Sequence, residues 1–252
     1  MKDFVYDEKW FANAPNLEVY YMYRGLAKDE NDRKIMAGNN LRYDITVIPS
    51  QMLGLEFTKT IGHEHALVPN TNLTHTEIYE VLEGEAYYLL QKHENGKITD
   101  IYAVHKKIGE KCIVPPNYGH VAINASDKEL IMANWSESNF KSDYSLFQKN
   151  RGAGYYALSA EASAKADAPS PSVIASQVKL GEIIQPNINT QNINWKKNNN
   201  YGNVPKLKIC DAKDFNYLLE QFGLDPHVPM YDLVNNIEKL DFLKNPQKYV
   251  WK

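Results

Sequence analysis

Between residues 17 and 150 the sequence is a succession of short runs broken by turn signals: LEVYYMY, YDITVIP, EIYEVLEG, AYYLLQ, ITDIYAV, KCIVPP, VAINA and ELIMANW. Several of them place an apolar residue at every second position. On an extended backbone that pattern sends the apolar set to one face, so these runs read as half-buried antiparallel strands. Asn95-Gly96, between AYYLLQ and ITDIYAV, is the strongest short hairpin signal a sequence offers. Many short strands with a turn roughly every ten residues predict a sandwich or a barrel.

The flanks read differently. Residues 1–40 are expected as an N-terminal arm and strand, 41–150 as the β barrel, 151–205 as a linker and 206–252 as a helical extension. Ser159 to Ala168 is small and Ala-rich, and Pro169-Ser170-Pro171 cannot continue a helix. Eight Asn fall among the 17 residues from Asn187 to Asn203, a composition that suits a loop. Asp211 can cap a helix with Ala212, Phe215, Leu218, Leu219 and Phe222 on one stripe, closed by Gly223. A second helix is expected from Pro229, with Leu233, Val234, Ile237 and Leu240, ending before Pro246.

Charge and composition exclude several classes. Lys and Arg total 28 against 31 Asp and Glu, a net charge of −3, which argues against nucleic acid as a partner. Apolar residues at 43% supply a real core, yet no run approaches the length of a membrane span. The opening MKDFVYDEKW has no apolar segment of signal-peptide type, so a cytoplasmic protein is expected. Cys112 and Cys210 fit no metal-finger or disulfide spacing and are expected as plain thiols.

Chemistry concentrates in three of the seven histidines and one glutamate. His63 and His65 stand at i and i+2, the same face of a strand; Glu77 opens EIYEVLEG, and His120 ends VPPNYGH. Imidazoles and a carboxylate on neighbouring strands suit a divalent transition metal with open positions, although spacing alone does not make them converge. The bland reading of each is a solvated or satisfied residue, and that is the reading adopted for His75, His93, His105 and His227.

Two segments resemble the paired motifs of the cupin superfamily, a β barrel of jelly-roll type. The first is His63-Glu64-His65, Glu77 and Gly84; the second is Gly109, Pro115, His120 and Asn124, with Asn117 where glycine is usual. Eleven residues, ALVPNTNLTHT, separate His65 from Glu77 where most cupins have three or four, and are expected as a polar loop at the barrel mouth. The finer resemblance, over residues 17–147, is to the cupin-type glucose-6-phosphate isomerases of archaea and some bacteria. It rests on LRYDITVIP, TKTIGHEH, TEIYEVLEGEAYYLLQ, VPPNYGHVAIN and SDYSLF.

That resemblance implies His63, His65, Glu77 and His120 as ligands of one divalent ion per subunit, Fe2+ first, with Mn2+, Ni2+ or Zn2+ as alternatives. It implies substrate contacts at Thr46, Thr60, Gly62 and Tyr79, with Thr58 replacing Thr60 under a two-residue shift. Lys59 is a candidate charge partner for the phosphate, set against an outward strand position. Ser136 and Ser142 stand where characterised members carry a Tyr and a His, while Asp143 and Tyr144 match. The implied reaction interconverts glucose 6-phosphate and fructose 6-phosphate in glycolysis and gluconeogenesis, in a homodimer. Glu77, Tyr79 or a metal-bound hydroxide would move the proton, and a hydride shift suits the same residues. Another cupin metalloenzyme of iron-dioxygenase type and a non-catalytic sugar-phosphate-binding cupin are the alternatives.

Overall fold

The Asn95-Gly96 turn closes a two-residue hairpin. Asn95 at φ 52° and Gly96 at φ 75° both occupy the left-handed region such a turn requires. The computed structural model describes residues 4–160, 193–211 and 216–251. Its strands are β1 (Tyr21–Tyr23), β2 (Leu41–Ile48), β3 (Met52–Leu53), β4 (Glu56–Lys59), β5 (Glu64–His65), β6 (Glu77–Glu83), β7 (Glu85–Glu94) and β8 (Lys97–Lys107). They continue as β9 (Lys111–Val114), β10 (Tyr118–Asn124), β11 (Leu130–Glu137), β12 (Ser142–Asp143), β13 (Tyr155–Ser159), β14 (Ile193–Lys197) and β15 (Lys208–Cys210). A short helix, α1 (Glu8–Phe11), precedes β1, and α2 (Glu30–Gly38) and α3 (Ser145–Lys149) lie between strands.

Two sheets face each other. One runs β1-β2-β11-β6-β9; the other runs β14-β13-β4-β10-β7-β8-β15, with β3 beside β4. Pairing is antiparallel except where β15 joins β8. The expected all-β jelly-roll barrel with helical segments at its C-terminal end is the fold observed.

Both faces of the larger sheet are covered. Tyr88, Leu90, Val104 and Ala122 point inward against Ile48, Val81, Cys112, Val114, Leu130 and Met132. Their strand neighbours Leu89, Ala103, Val121 and Ile123 point outward under Phe57, Phe147, Tyr155 and Tyr201. A strand buried on both faces reads as a nearly continuous apolar run, which is why AYYLLQ lacks clean alternation.

The outer face of the smaller sheet is closed by the C-terminal segment. Tyr43, Ile78, Ala133 and Trp135 pack with Leu218, Leu219, Phe222, Leu240 and Phe242. Burial of each such side chain stabilises by about 1.5–3 kcal/mol. Polar contacts fix the register: Trp135 Nε1 donates to the Met230 carbonyl at 2.9 Å, and Met230 N–H donates to Glu80 Oε2 at 2.9 Å. Lys111 pairs with Glu80 at 3.1 Å and donates to the Pro226 carbonyl at 2.9 Å.

Three expectations need correction. The stretch 151–205 is more than a linker, because β13 and β14 pair along five positions and extend the larger sheet. β14 is an edge strand whose polar side chains face water while Trp195 packs inward, so its Asn-rich surroundings conceal it. The second C-terminal segment, Met230–Leu243, consists of 3-10 turns broken at Asn236 rather than one α-helix. β15 is a strand where none was expected. Leu218, Leu219 and Phe222 are buried, on and just after the helix Asn216–Gln221; Ala212, Phe215 and the Ala- and Pro-rich positions 161–171 lie outside the described residues. Among the described residues no helix is long and apolar enough to cross a membrane.

Candidate metal centre

Backbone pairing, rather than side-chain attraction, brings the first two histidines together. His63 and His120 form an isolated antiparallel bridge, with N–H donated each way at 3.2 and 3.0 Å. Their rings lie 4.5 Å apart, and the His65 ring, two residues on, lies 5.1 Å from His63 and 5.2 Å from His120. Glu77, the first residue of β6, completes the group. One donor atom from each of His63, His65, Glu77 and His120 falls within 4.8 Å of the others.

The surroundings hold these groups in ligating form. His65 Nδ1 lies 2.9 Å from the His75 carbonyl, so its proton is committed there and Nε2 faces Glu77 Oε2 at 3.1 Å. Two acceptors at that separation need a cation between them, either a second proton or a metal ion. Asn134, opposite Tyr79 in the sheet register, donates from Nδ2 to Glu77 Oε1 at 2.6 Å. Burial and the neighbouring His65 push the His63 imidazole down to about 3, and burial holds His120 well below the ordinary histidine range. Burial alone would raise the Glu77 carboxyl, but His65, His63 and Tyr79 outweigh it and keep it below the usual range. Neutral imidazoles and one carboxylate anion are what a divalent transition metal binds. His120 faces the same cluster through Nε2, 3.4 Å from Glu77 Oε2. The four residues fit a divalent ion.

Thr46, Thr60, Gly62 and Tyr79 line one pocket with His63, Glu77 and His120, while His65 sits behind it. Gly62 is required there. At φ +84° a Cβ would stand 2.5 Å from Val121 Cγ2 and 2.6 Å from Phe147 Cδ1. The Thr60 hydroxyl accepts from Ala122 N–H at 3.1 Å. Thr58 is excluded from the pocket, since its hydroxyl is buried against the Gln51 carbonyl. The Tyr79 hydroxyl lies 2.9 Å from His120 Nε2, and burial raises its pKa far above that of an ordinary phenol.

Lys59 and Ser136 do not reach the pocket. Lys59 is buried in an ion pair with Glu56, its ammonium over the Tyr156 ring, so it is neither a charge partner in the pocket nor an outward strand residue. Ser136 is buried on β11 with its hydroxyl unpartnered among the described residues. Ser142 does line the pocket, and Tyr144 and Phe140 place rings 5.5 Å from His63 and 4.6 Å from His65. Asp143 points away and accepts from Ser145 N–H at the start of α3.

The eleven-residue insertion is not a mouth of this pocket. It folds back as a small hairpin through the Leu67–Thr74 bridge and ties to Asn117, whose φ of 67° takes the place of the usual glycine. Its end meets the C-terminal segment: the Thr76 hydroxyl donates to the Phe242 carbonyl at 2.9 Å, and His75 Nδ1 lies 3.2 Å from the Leu243 carbonyl. His93 and His105 pair with Glu64 and Glu85 at 2.8 Å. Sequence reasoning missed Asn134, Arg24 and Arg42, all of which line the pocket beside the cluster. Only their long-range strand pairing brings them there.

Solved structures that resemble the chain include a recombinant oxalate oxidase in complex with glycolate, at 16% identity over 49% of this chain and 51% of that one, TM-score 0.34. Momordica charantia 7S globulin matches at 14% over 51% and 34%, TM-score 0.37, and Corylus avellana vicilin at 13% over 50% and 32%, TM-score 0.34. The chain thus spans about half the oxalate oxidase and less of the globulin and the vicilin. No curated protein matches it. The family model described as glucose-6-phosphate isomerase (GPI) matches residues 2–171, which hold the whole candidate metal pocket and more than half the sequence. The chain belongs to the glucose-6-phosphate isomerase family.

Proposed function

We propose that the protein is a metal-dependent aldose–ketose isomerase interconverting glucose 6-phosphate and fructose 6-phosphate. The observation that carries this reading is the convergence of His63, His65, Glu77 and His120 beside Tyr79, in a chain of that family. A divalent ion bound by those four, Fe2+ in the first place, would supply positive charge where negative charge develops on neighbouring sugar oxygens.

The chain's own groups do the rest. Isomerisation moves a proton between C2 and C1 while hydroxyl and carbonyl exchange roles. Glu77 and Tyr79, two residues apart on β6, are the groups next to the cluster able to hold and return that proton. Asn134 holds Glu77 Oε1, which leaves Oε2 facing His65 and the cluster. Thr46, Thr60 and the Gly62 amide offer donors to the phosphorylated sugar, and Phe140 and Tyr144 screen the cluster from water.

The same reading makes the protein a cytoplasmic homodimer. In support of the dimer, edge strand β1 leaves Tyr21, Met22 and Tyr23 exposed at 41%, 40% and 54%. The test of function is a coupled assay of fructose 6-phosphate conversion on metal-stripped protein and after addition of Fe(II), Mn(II), Ni(II) or Zn(II). Turnover restored by metal is expected; no turnover with any metal, in folded protein carrying one ion per chain, would sink the isomerase reading.

A further inference from the structure

A sugar phosphate brings a dianion, and with Lys59 committed to Glu56 the hydroxyl and amide donors of the pocket carry no charge to meet it. Two guanidinium groups do line that pocket, Arg24 and Arg42, the first following β1 and the second on β2. One carboxylate organises both. Asp44 is fully buried; its Oδ1 accepts from Gly25 N–H at 2.9 Å and its Oδ2 from Arg42 Nε at 2.9 Å. Arg42 also donates from Nη1 to the Ser138 carbonyl at 3.3 Å, and its side chain is 26% exposed. Arg24 stands at the exposed mouth, Nη2 3.5 Å from Met22 Sδ.

Asp44 neutralises one of the two positive charges and leaves the other for a ligand. Each guanidinium presents several N–H donors in a planar fork that matches phosphate oxygens, and Asp44 uses a single donor of Arg42. The turn at Gly25, at φ +64°, is held to Asp44 by its own N–H, so the segment carrying Arg24 is fixed relative to Arg42.

We propose that Arg24 and Arg42, positioned by Asp44, are the phosphate anchor of this pocket and make it selective for phosphorylated over neutral sugars. The proposal rests on the isomerase reading for its substrate, but the anion site itself does not. Arg42 serves as the inner, oriented anchor and Arg24 as the outer one that closes on the phosphate from the solvent side.

The test compares wild type with Arg24→Gln, Arg42→Gln, the double variant and Arg42→Lys, with metal content and near-UV circular dichroism confirming that each is folded and loaded. The readouts are KM and kcat for fructose 6-phosphate, kcat/KM for fructose, and the inhibition or binding constant of inorganic phosphate. Each single Gln variant is expected to raise KM and the phosphate constant about tenfold and the double variant about 100-fold, with kcat nearly unchanged. The fall in kcat/KM should be larger for fructose 6-phosphate than for fructose. Arg42→Lys should fail to restore affinity, because it lacks the planar fork that serves Asp44 and ligand together. If the wild type turns over sugar phosphate and the double variant keeps its KM and its phosphate constant, the anchor is wrong. If the wild type turns over nothing yet binds inorganic phosphate in an arginine-dependent way, the isomerase reading falls and the anchor stands. Phosphate binding indifferent to both arginines overturns the anchor whatever the activity.

Discussion

The Tyr79 hydroxyl lies 2.9 Å from His120 Nε2, inside the pocket that also holds Glu77. Strand β6 places Glu77 and Tyr79 on its inner face, so one strand supplies both a carboxylate of the candidate metal cluster and the phenol beside it. Tyr79→Phe should keep one metal per chain while kcat falls about 10²-fold or more, the ordinary worth of a positioned proton donor, with little change in KM. Steady-state kinetics beside elemental analysis checks this; unchanged kcat would remove Tyr79 from the chemistry.

Asn134 acts at one remove from the candidate metal site. Its amide holds Glu77 Oε1 at 2.6 Å. Asn134→Leu should weaken metal binding by about 10–100-fold, as loss of a partner to a ligating group does, and Asn134→Gln should recover part of it. Competition for metal against a chelator of known affinity reads the difference directly.

Thiol reactivity separates the two cysteines. Cys112 is buried on the inner face of β9, and burial pushes its thiol up to about 12, so at pH 8 it is neutral as well as inaccessible. Cys210, on edge strand β15, is half-buried. Iodoacetamide at pH 8 should label one cysteine in the native protein, Cys210, and both in denaturant, as mass spectrometry will show. Native labelling of Cys112 would mean the barrel opens on the labelling timescale.

The C-terminal segment should behave as part of the core. Phe242 is fully buried, stacks on Phe222 at 4.1 Å, and its carbonyl receives the Thr76 hydroxyl. Phe242→Ala should destabilise by about 3–5 kcal/mol in urea unfolding, the range for deleting a buried phenyl ring. A loss under 1 kcal/mol, below that range, would mean the segment is a detachable appendage.

The barrel strands could be read from the sequence because their signals are local, whereas Glu77 and His120 joined the two histidines only through the family resemblance. Alternation marks the strands, Asn95-Gly96 marks the hairpin, and His63 and His65 share a face by spacing alone. What local pattern cannot carry is the partner of a side chain far along the chain. Arg42 and Asp44 are on β2, Asn134 is on β11, and only the β2·β11·β6 register puts them around Glu77. Lys59 stood out as a possible phosphate partner, but its charge is consumed by Glu56 three residues earlier. β14 escaped notice because an edge strand needs only one apolar side, and Trp195 with Ile193 provides it among polar residues.

Metal stoichiometry decides whether the cluster is a metal centre. The protein, stripped and then reloaded with Fe(II) or Mn(II), should hold one ion per chain, in an environment of three imidazoles and one carboxylate by X-ray absorption. His63→Ala and His120→Ala should lose the ion while keeping wild-type circular dichroism. A chain that folds normally and binds no divalent ion, or binds one undisturbed by those substitutions, would contradict the account.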